Sequence, residues 1–236
     1  MIDFDKLIEN HLARENKPKQ IGRYYPSEVG SCLRKVWYSY KFPQPTSPEL
    51  LKVFEVGNIV HEFIANVMKS DKNPHISLLA SELPFKIEMN GLTVSGRIDD
   101  LLLVKASGKK LMVEVKSTAH LESSNEAQPH HLMQLQLYMH QMKIEDGAVL
   151  YVEKNTLKTK AFYVKYDEGM AAEALNRFNI LHKHLNENKI PAPEARVRWK
   201  EMGWMCTRCE FRDKCFSETP DKELPPAQNG NGKDLL

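Results

Sequence analysis

Charged side chains interrupt an otherwise apolar stretch at residues 96–117, GRIDDLLLVKASGKKLMVEVKS. Asp99, Asp100, Glu114 and Lys116 lie there among Ile, Leu, Val and Met, which are the residue types of a buried hairpin. An unpaired carboxylate is costly to bury, so it normally takes up a proton or binds a cation. The stretch therefore indicates a metal site.

Alternation along the second strand separates its charged residues from its apolar ones. Successive strand residues point to opposite faces, so Glu114 and Lys116 share one face and the neighbouring valines occupy the other. Depending on register, Asp99 or Asp100 of the preceding strand projects beside them. Two carboxylates from paired strands can hold magnesium or manganese, and a nearby lysine can orient or help deprotonate the water that attacks a phosphate. For E-x-K taken alone, a solvated strand face with a Glu-Lys pair is the alternative interpretation.

The cysteines form a second candidate site. Three follow the spacing C-x-x-C-x-x-x-x-x-C and one is distant: Cys206, Cys209, Cys215 and Cys32. Four thiolates suit tetrahedral zinc or an iron-sulfur cluster, and spacing alone does not separate the two. Free structural thiols are the alternative.

Composition places the chain among ordinary globular proteins. Its 236 residues are 42% hydrophobic and 27% charged, with a formal net charge of +2, which is too small to indicate a nucleic-acid binder by itself. No apolar run has the length of about 18 residues needed to cross a bilayer, and the N-terminus lacks the features of a signal peptide. We therefore expect a cytoplasmic protein without a membrane partner.

Hydrophobic periodicity predicts an α/β fold with a mixed central sheet flanked by helices. An antiparallel meander joined by Asn90-Gly91 and Ser107-Gly108 forms its centre. Residues 1–216 read as a single domain, and 217–236 as a disordered tail by composition. The predicted helices are 3–14, 27–40, 49–70, 130–142 and 168–188, and the predicted strands are 81–89, 92–104, 111–117, 148–153 and 160–166.

Four short patterns together resemble the RecB-like branch of the PD-(D/E)XK nuclease superfamily. Gly96-Arg97-Ile98-Asp99 and Glu114-Val115-Lys116 are similar to its second and third motifs, residues 57–61 (GNIVH) to its G-x-x-x-H motif, and residues 134–138 (QLQLY) to its Q-x-x-x-Y motif. One cysteine upstream and three downstream resemble the iron-sulfur staple of the CRISPR-associated exonucleases of the Cas-four family, which AddB-type nucleases share. The resemblance covers roughly residues 21–216.

This resemblance implies a restriction-endonuclease-like core and assigns roles to the motif residues. Manganese or magnesium would be bound by His61, Asp99, Glu114 and the Val115 carbonyl. Lys116 would position the attacking water, and Gln134 and Tyr138 would contact substrate or organise the catalytic groups. The G-x-x-D spacing selects Asp99, and Asp100 would face the opposite side of the strand. The iron-sulfur ligands would be Cys32, Cys206, Cys209 and Cys215, holding 4Fe-4S in preference to 2Fe-2S, with zinc as the alternative.

The implied function is a metal-dependent DNA exonuclease that acts mainly on single strands or DNA ends. The resemblance implies 5′-to-3′ digestion, additional endonucleolytic trimming, and prespacer processing alongside CRISPR integrase proteins. A viral or DNA-repair nuclease of the same branch is one alternative. A non-catalytic nucleic-acid-binding module with a zinc or iron-sulfur staple is another.

Basic and aromatic residues are interleaved on both sides of the cysteines, as in single-strand binding grooves. The weak candidates for DNA contact in these segments are Arg34, Lys35, Arg208 and Arg212. The alternative is that the aromatic rings belong to the core and the cations are merely solvated.

Overall fold

The computed structural model describes residues 1–15 and 17–219, apart from the side chains of residues 199 and 201. The helices are α1 (Phe4–Leu12), α2 (Leu33–Lys41), α3 (Pro48–Lys69), α4 (Pro129–Met142), α5 (Glu168–Asn186), α6 (Glu194–Val197), α7 (Trp199–Met202), α8 (Trp204–Thr207) and α9 (Arg212–Glu218). The strands are β1 (Arg23–Tyr24), β2 (Ile76–Met89), β3 (Leu92–Val104), β4 (Lys109–Thr118), β5 (Asp146–Glu153) and β6 (Thr159–Lys165).

A six-stranded mixed sheet is built around β3. Strand β2 pairs antiparallel with β3 along one side. On the other side, β1 runs parallel to the start of β3 and β4 runs antiparallel to its end. Strand β5 is parallel to β4, and β6 is antiparallel to β5. The predicted mixed α/β fold with flanking helices is confirmed.

The turn between β2 and β3 sets the register of the two strands. Asn90 and Gly91 both have positive φ, 47° and 77°, as a two-residue type I′ hairpin requires. Met89 therefore lies opposite Leu92, and the same register continues to Ser81 opposite Asp100. An irregularity between Leu78 and Ala80 then shifts the pairing.

The two faces of the sheet are covered by different helices. On one face, α3 contributes Val60 and Ile64 to an apolar cluster with Val113, Val115 and other sheet residues. On the other face, side chains of α2, α4 and α5 share a larger core with Ile98, Leu101 and Met112. Because strand residues alternate between faces, this division leaves Glu114 and Lys116 on the α4 side.

The predicted helix from 27 to 40 is divided in the structure. A 3₁₀ turn covers Pro26–Glu28, and α2 begins only after Cys32. The guanidinium of Arg177 donates hydrogen bonds to the carbonyls of Val29 (2.6 Å) and Ser31 (2.8 Å). A tertiary contact thus satisfies carbonyls that a continuous helix would have used, which sequence periodicity does not reveal.

Other element boundaries also differ from the prediction. Strand β2 starts at Ile76 rather than near Ser81, and β1 and the short helices near the C-terminus were not predicted. Helix α9 extends to Glu218, into the start of the predicted tail, whereas residues 220–236 of that tail lie outside the described residues. Within the part of the chain that the structure describes, no helix has the length and apolar character needed to span a membrane.

Candidate active site

Asp99 joins the charged ends of β3 and β4. The ladder between these strands pairs Val104 with Lys109 through to Asp100 with Val113. Past the Asp100–Val113 pair, the Asp99 side chain takes the place of the backbone hydrogen bonds between the two strands, since its Oδ2 accepts a hydrogen bond from the Val115 N–H at 2.8 Å. This bond brings the G-x-x-D and E-x-K segments to one place.

Glu114 and Lys116 form a buried ion pair beside Asp99. Glu114 is 1% exposed, and the Lys116 Nζ lies 2.6 Å from its Oε1. Among the described residues, neither carboxylate oxygen of Glu114 accepts a hydrogen bond of normal geometry. Burial raises the pKa of Glu114, and the Asp99 charge raises it further. Burial opposes the charge on Lys116, but the carboxylates of Glu114 and Asp99 outweigh it and raise the Lys116 pKa.

His61 approaches the same carboxylate from α3. Its Nδ1 lies 3.5 Å from Asp99 Oδ1. Burial acts to lower the His61 pKa, but the bond and charge of Asp99 reverse this, so the net shift is upward. In the described residues, Glu82 completes a group with His61 and Asp99 whose ligating atoms all lie within 4.8 Å of one another.

These side chains fit a divalent cation. Carboxylate oxygens suit magnesium and manganese, and one imidazole suits transition metals such as manganese. Glu114 is not part of the group within 4.8 Å, but its charge acts on His61. The Lys116 ammonium compensates the Glu114 charge from the side of Oε1, and Oε2, which is buried without a hydrogen-bond partner among the described residues, is left as an acceptor for a cation.

Glu82 was not among the candidates from the sequence, although a signal for it existed. Counting back along both strands from the Asn90-Gly91 turn pairs Ser81 with Asp100, which sets Glu82 beside Asp99. Glu82 itself has a positive φ of 52°, and its carboxylate also forms an ion pair with Arg97 at 3.2 Å.

Asp100 is 2% exposed, and burial raises its pKa to about 6. An open cavity of about 700 Å³ is lined by His61, Glu82, Asp99 and Asp100 together.

Helix α4 supplies a hydrogen-bonded support for Lys116. The Lys116 Nζ donates to Gln134 Oε1 at 3.4 Å, and Gln134 Nε2 donates to the Tyr138 hydroxyl at 3.0 Å. Gln134 and Tyr138 are one helical turn apart and share a face. Both are buried, at 7% and 2% exposure, so the geometry favours organising Lys116 over contacting a substrate.

Gly96 has a steric reason to be glycine. A Cβ at this position would lie 2.9 Å from Pro26 Cδ, which is closer than real contacts allow. Gly57, in the G-x-x-x-H pattern, differs from it, because a Cβ there would meet Ser117 Oγ at an ordinary 3.8 Å.

All four cysteines line one cavity, which lies between α2 and the segment from α6 to α9. Cys32 precedes α2, and the others lie on or next to α8 and α9. All are free thiols. Arg34 and Arg196 direct Nη1 atoms toward Cys215 Sγ, at 3.8 and 4.0 Å, so positive charge is available to balance thiolates. The donor set fits a sulfur-ligated metal centre.

A buried ion pair fixes the segment that carries Cys32. Arg177 binds Glu194 through two hydrogen bonds of 2.6 and 2.9 Å. Glu194 Oε2 also accepts from the Leu33 N–H at 3.2 Å. The start of α2 is thereby tied to α5 and α6, a support that sequence spacing did not indicate.

The candidate DNA-contact residues fall into different environments, and Arg34 is corrected. Arg34 is 6% exposed, and its guanidinium bonds Pro191 O at 2.7 Å and Thr219 Oγ1 at 2.8 Å, so it holds the C-terminal segment rather than facing a DNA strand. Lys35 forms an ion pair with Glu210 at 3.1 Å. Arg208 and Arg212 are exposed, and Arg212 packs near the Phe216 ring.

Fold and sequence together define the class of this protein. The chain matches the PD-(D/E)XK nuclease superfamily over residues 27–216, and it belongs to that superfamily. It is therefore a nuclease of the PD-(D/E)XK type.

The chain is also similar to individual proteins of known activity or structure. The chain is 25% identical to the CRISPR-associated exonuclease Cas4 of Saccharolobus solfataricus over 169 residues, covering 70% of this chain and 78% of the relative. Its fold is similar to the crystal structure of SSO0001, with a TM-score of 0.58, 20% identity, and coverage of 93% and 94% of the two chains. An alkaline exonuclease from Laribacter hongkongensis matches with a TM-score of 0.49 and 12% identity, over 71% of this chain and 90% of that one.

Proposed function

We propose that this nuclease is a manganese- or magnesium-dependent DNA exonuclease that acts mainly on single strands from the 5′ end, with endonucleolytic trimming as a further activity. The observation that carries the proposal is the convergence of His61, Asp99, Glu114 and Lys116, in which Glu114 is buried, is paired with Lys116 through Oε1, and has an Oε2 without a hydrogen-bond partner among the described residues. Similarity to a Cas4 exonuclease supports the exonucleolytic mode.

The metal would be held by His61, Asp99, Glu114 and the Val115 carbonyl, with Glu82 within reach of the same group. When bound, the ion supplies Lewis-acid activation of the scissile phosphate and of a water. Lys116 keeps its positive charge beside Glu114, so its ammonium can orient the attacking water and stabilise charge that develops on the phosphate. Gln134 and Tyr138 hold that ammonium in place.

The cysteines would hold an iron-sulfur cluster, 4Fe-4S in preference to 2Fe-2S, as a structural clip between the chain ends. Support comes from the four cysteines lining one cavity, with the Nη1 atoms of Arg34 and Arg196 directed toward Cys215 Sγ. Tetrahedral zinc on the same four sulfurs is the alternative.

The biological role that fits best is the processing of prespacers in CRISPR adaptation, in partnership with integrase proteins. Support for this role comes from the similarity to the Saccharolobus Cas4. Co-purification with CRISPR integrase proteins of the same organism would support it, and a gene neighbourhood without such integrases would count against it.

Cleavage assays test the catalytic proposal. Wild-type protein should degrade end-labelled single-stranded DNA when manganese is added, and Lys116→Ala should reduce the rate by roughly 10²-fold or more. Lys110→Ala is the matched control, since Lys110 lies exposed on the same strand. Undiminished cleavage by Lys116→Ala would overturn the proposed active site, and a wild type that binds DNA without cleaving it would favour the non-catalytic binding module.

A further inference from the structure

An exposed tryptophan lies where α8 begins, close to the start of α4. Trp204 is 52% exposed, which is unusual for so large an apolar ring. Its ring centroid lies 5.4 Å from that of His130, with the planes tilted by 40°. His130 packs in turn on His131, with centroids 3.9 Å apart. Three aromatic rings therefore follow one another from the surface inward.

This series of rings leads to the candidate active site. His131 Nδ1 is hydrogen-bonded to the Tyr151 hydroxyl at 2.8 Å. The positive charge of Lys116 lies near enough to both histidines to help lower their pKa values, although burial is the larger cause. The pKa of His130 falls to about 4, so its ring is uncharged at neutral pH and presents an aromatic face.

The surroundings of Trp204 form an open groove of about 340 Å³. Its walls include the apolar side chains of Met133, Met202 and Met205. Two carboxylates and two guanidinium groups also line it, those of Glu173, Glu194, Arg177 and Arg198, and Glu194 is paired with both arginines, at 2.6 and 3.7 Å. The apolar walls beside the exposed indole suit the face of a base.

We propose that Trp204 and His130 form a stacking subsite for a nucleobase of single-stranded DNA, on the path between the protein surface and Lys116. The inference rests on the proposed function, because it assigns a substrate-binding role beside that same site. Stacking requires an unpaired base, so the subsite favours single strands over duplex and does not depend on sequence.

Binding measured without divalent metal separates this subsite from catalysis. A fluorescently labelled thymidine oligonucleotide, followed by anisotropy in EDTA, should bind Trp204→Ala roughly 5- to 150-fold more weakly than wild type. Trp204→Phe should retain most of the affinity, because it keeps an aromatic face. Tyr163→Ala is the matched control, since Tyr163 is a 73% exposed ring on the edge strand β6. Duplex affinity should be unchanged in all three variants.

Intrinsic fluorescence gives a readout that does not depend on the alanine variant folding. The oligonucleotide should quench wild-type tryptophan emission more than it quenches the emission of Trp204→Phe. Equal quenching, equal affinity of Trp204→Ala and wild type, or equal losses for duplex and single strand would each overturn the subsite. If wild type cleaves no DNA while Trp204→Ala still loses single-strand affinity, the nuclease proposal fails and the subsite stands.

Discussion

The Asp99 carboxylate accepts a hydrogen bond from the backbone N–H of Val115 at 2.8 Å, so one side chain links the two charged segments and also faces His61. Asp99→Asn keeps an oxygen acceptor for Val115 but removes the charge, whereas Asp99→Ala removes both. We expect both variants to lose manganese-dependent cleavage. Only the alanine variant should also lose about 1 kcal/mol of unfolding free energy in urea melts. Near-normal cleavage by Asp99→Asn would contradict the role of the charge.

Glu82 should contribute to cation binding, because its carboxylate lies within 4.8 Å of ligating atoms of His61 and Asp99. Glu82→Gln should weaken manganese binding roughly tenfold, measured as free manganese by electron paramagnetic resonance. Glu88→Gln, on the exposed part of the same strand, is the control. Equal manganese affinities for Glu82→Gln and wild type would show that Glu82 serves only Arg97.

Two glycines should respond to alanine in opposite directions. A Cβ on Gly30 would lie 2.1 Å from the Cβ of His130 and 2.2 Å from its Cα, which no side-chain movement can relieve. Gly30→Ala should therefore cost at least 1–3 kcal/mol, as overpacking does. Gly57 lies inside α3 with room for a methyl group, so Gly57→Ala should add up to about 1 kcal/mol through helix propensity. Thermal and urea melts of the two variants and the wild type measure these changes in stability. A Gly30→Ala protein as stable as the wild type would contradict the close contact of Gly30 with His130.

The Arg177–Glu194 pair should make stability depend on acidity. Burial would raise the pKa of Glu194, but Arg177 outweighs it and lowers the pKa below the ordinary 4.5. The ionised carboxylate therefore contributes stability above pH 4.5, and the contribution is lost as pH falls through the lower folded value. At neutral pH, Glu194→Gln should cost about 3–5 kcal/mol, since it leaves Arg177 buried without its anion.

Urea melts over a pH series check this dependence. The stability difference between wild type and Glu194→Gln should narrow as the solution is acidified below pH 4.5. Glu126→Gln, at an exposed position before α4, should show no such difference. If the stability difference between wild type and Glu194→Gln stays constant down to acid pH, the ionised carboxylate of Glu194 is not the stabilising group.

The cysteine cavity should contain iron. Protein purified without oxygen should be brown, with iron and acid-labile sulfide, and Cys32→Ala should lose both. Because a clip from Cys32 to the C-terminal cysteines closes a very long loop, its loss should cost on the order of 4 to 5 kcal/mol by chain entropy. Colourless protein with one zinc per chain would overturn the cluster and leave the nuclease proposal standing.

The local sequence pattern predicted the arrangement of side chains on the β3–β4 hairpin well, for a physical reason. Strand alternation divides Glu114 and Lys116 from Val113 and Val115 whatever surrounds them, and the structure shows the valines against α3 and the charged pair together. The Asn90-Gly91 turn likewise specifies the register of β2 against β3. Helical spacing placed Gln134 and Tyr138 on one face, where they are hydrogen-bonded.

Contacts between distant segments could not be read in this way. Arg34 looked like a DNA-contact residue because it is basic and lies beside aromatic residues, yet it is buried against Pro191 and Thr219. The break before α2 depends on Arg177, which is far away in sequence. The sequence pattern around Arg34 or Arg177 gives no indication of the distant residues that each of them contacts.

The sequence by itself determined which chemical groups this protein offers: the carboxylates, histidine and lysine of the proposed active site, and the four thiols of the proposed cluster site. Only the tertiary structure decided which groups meet, including Glu82 beside Asp99 and Trp204 beside His130. Periodicity reports which face of an element a residue occupies, because backbone geometry repeats locally. Which faces come together depends on packing the whole chain, and that is a property of no single segment.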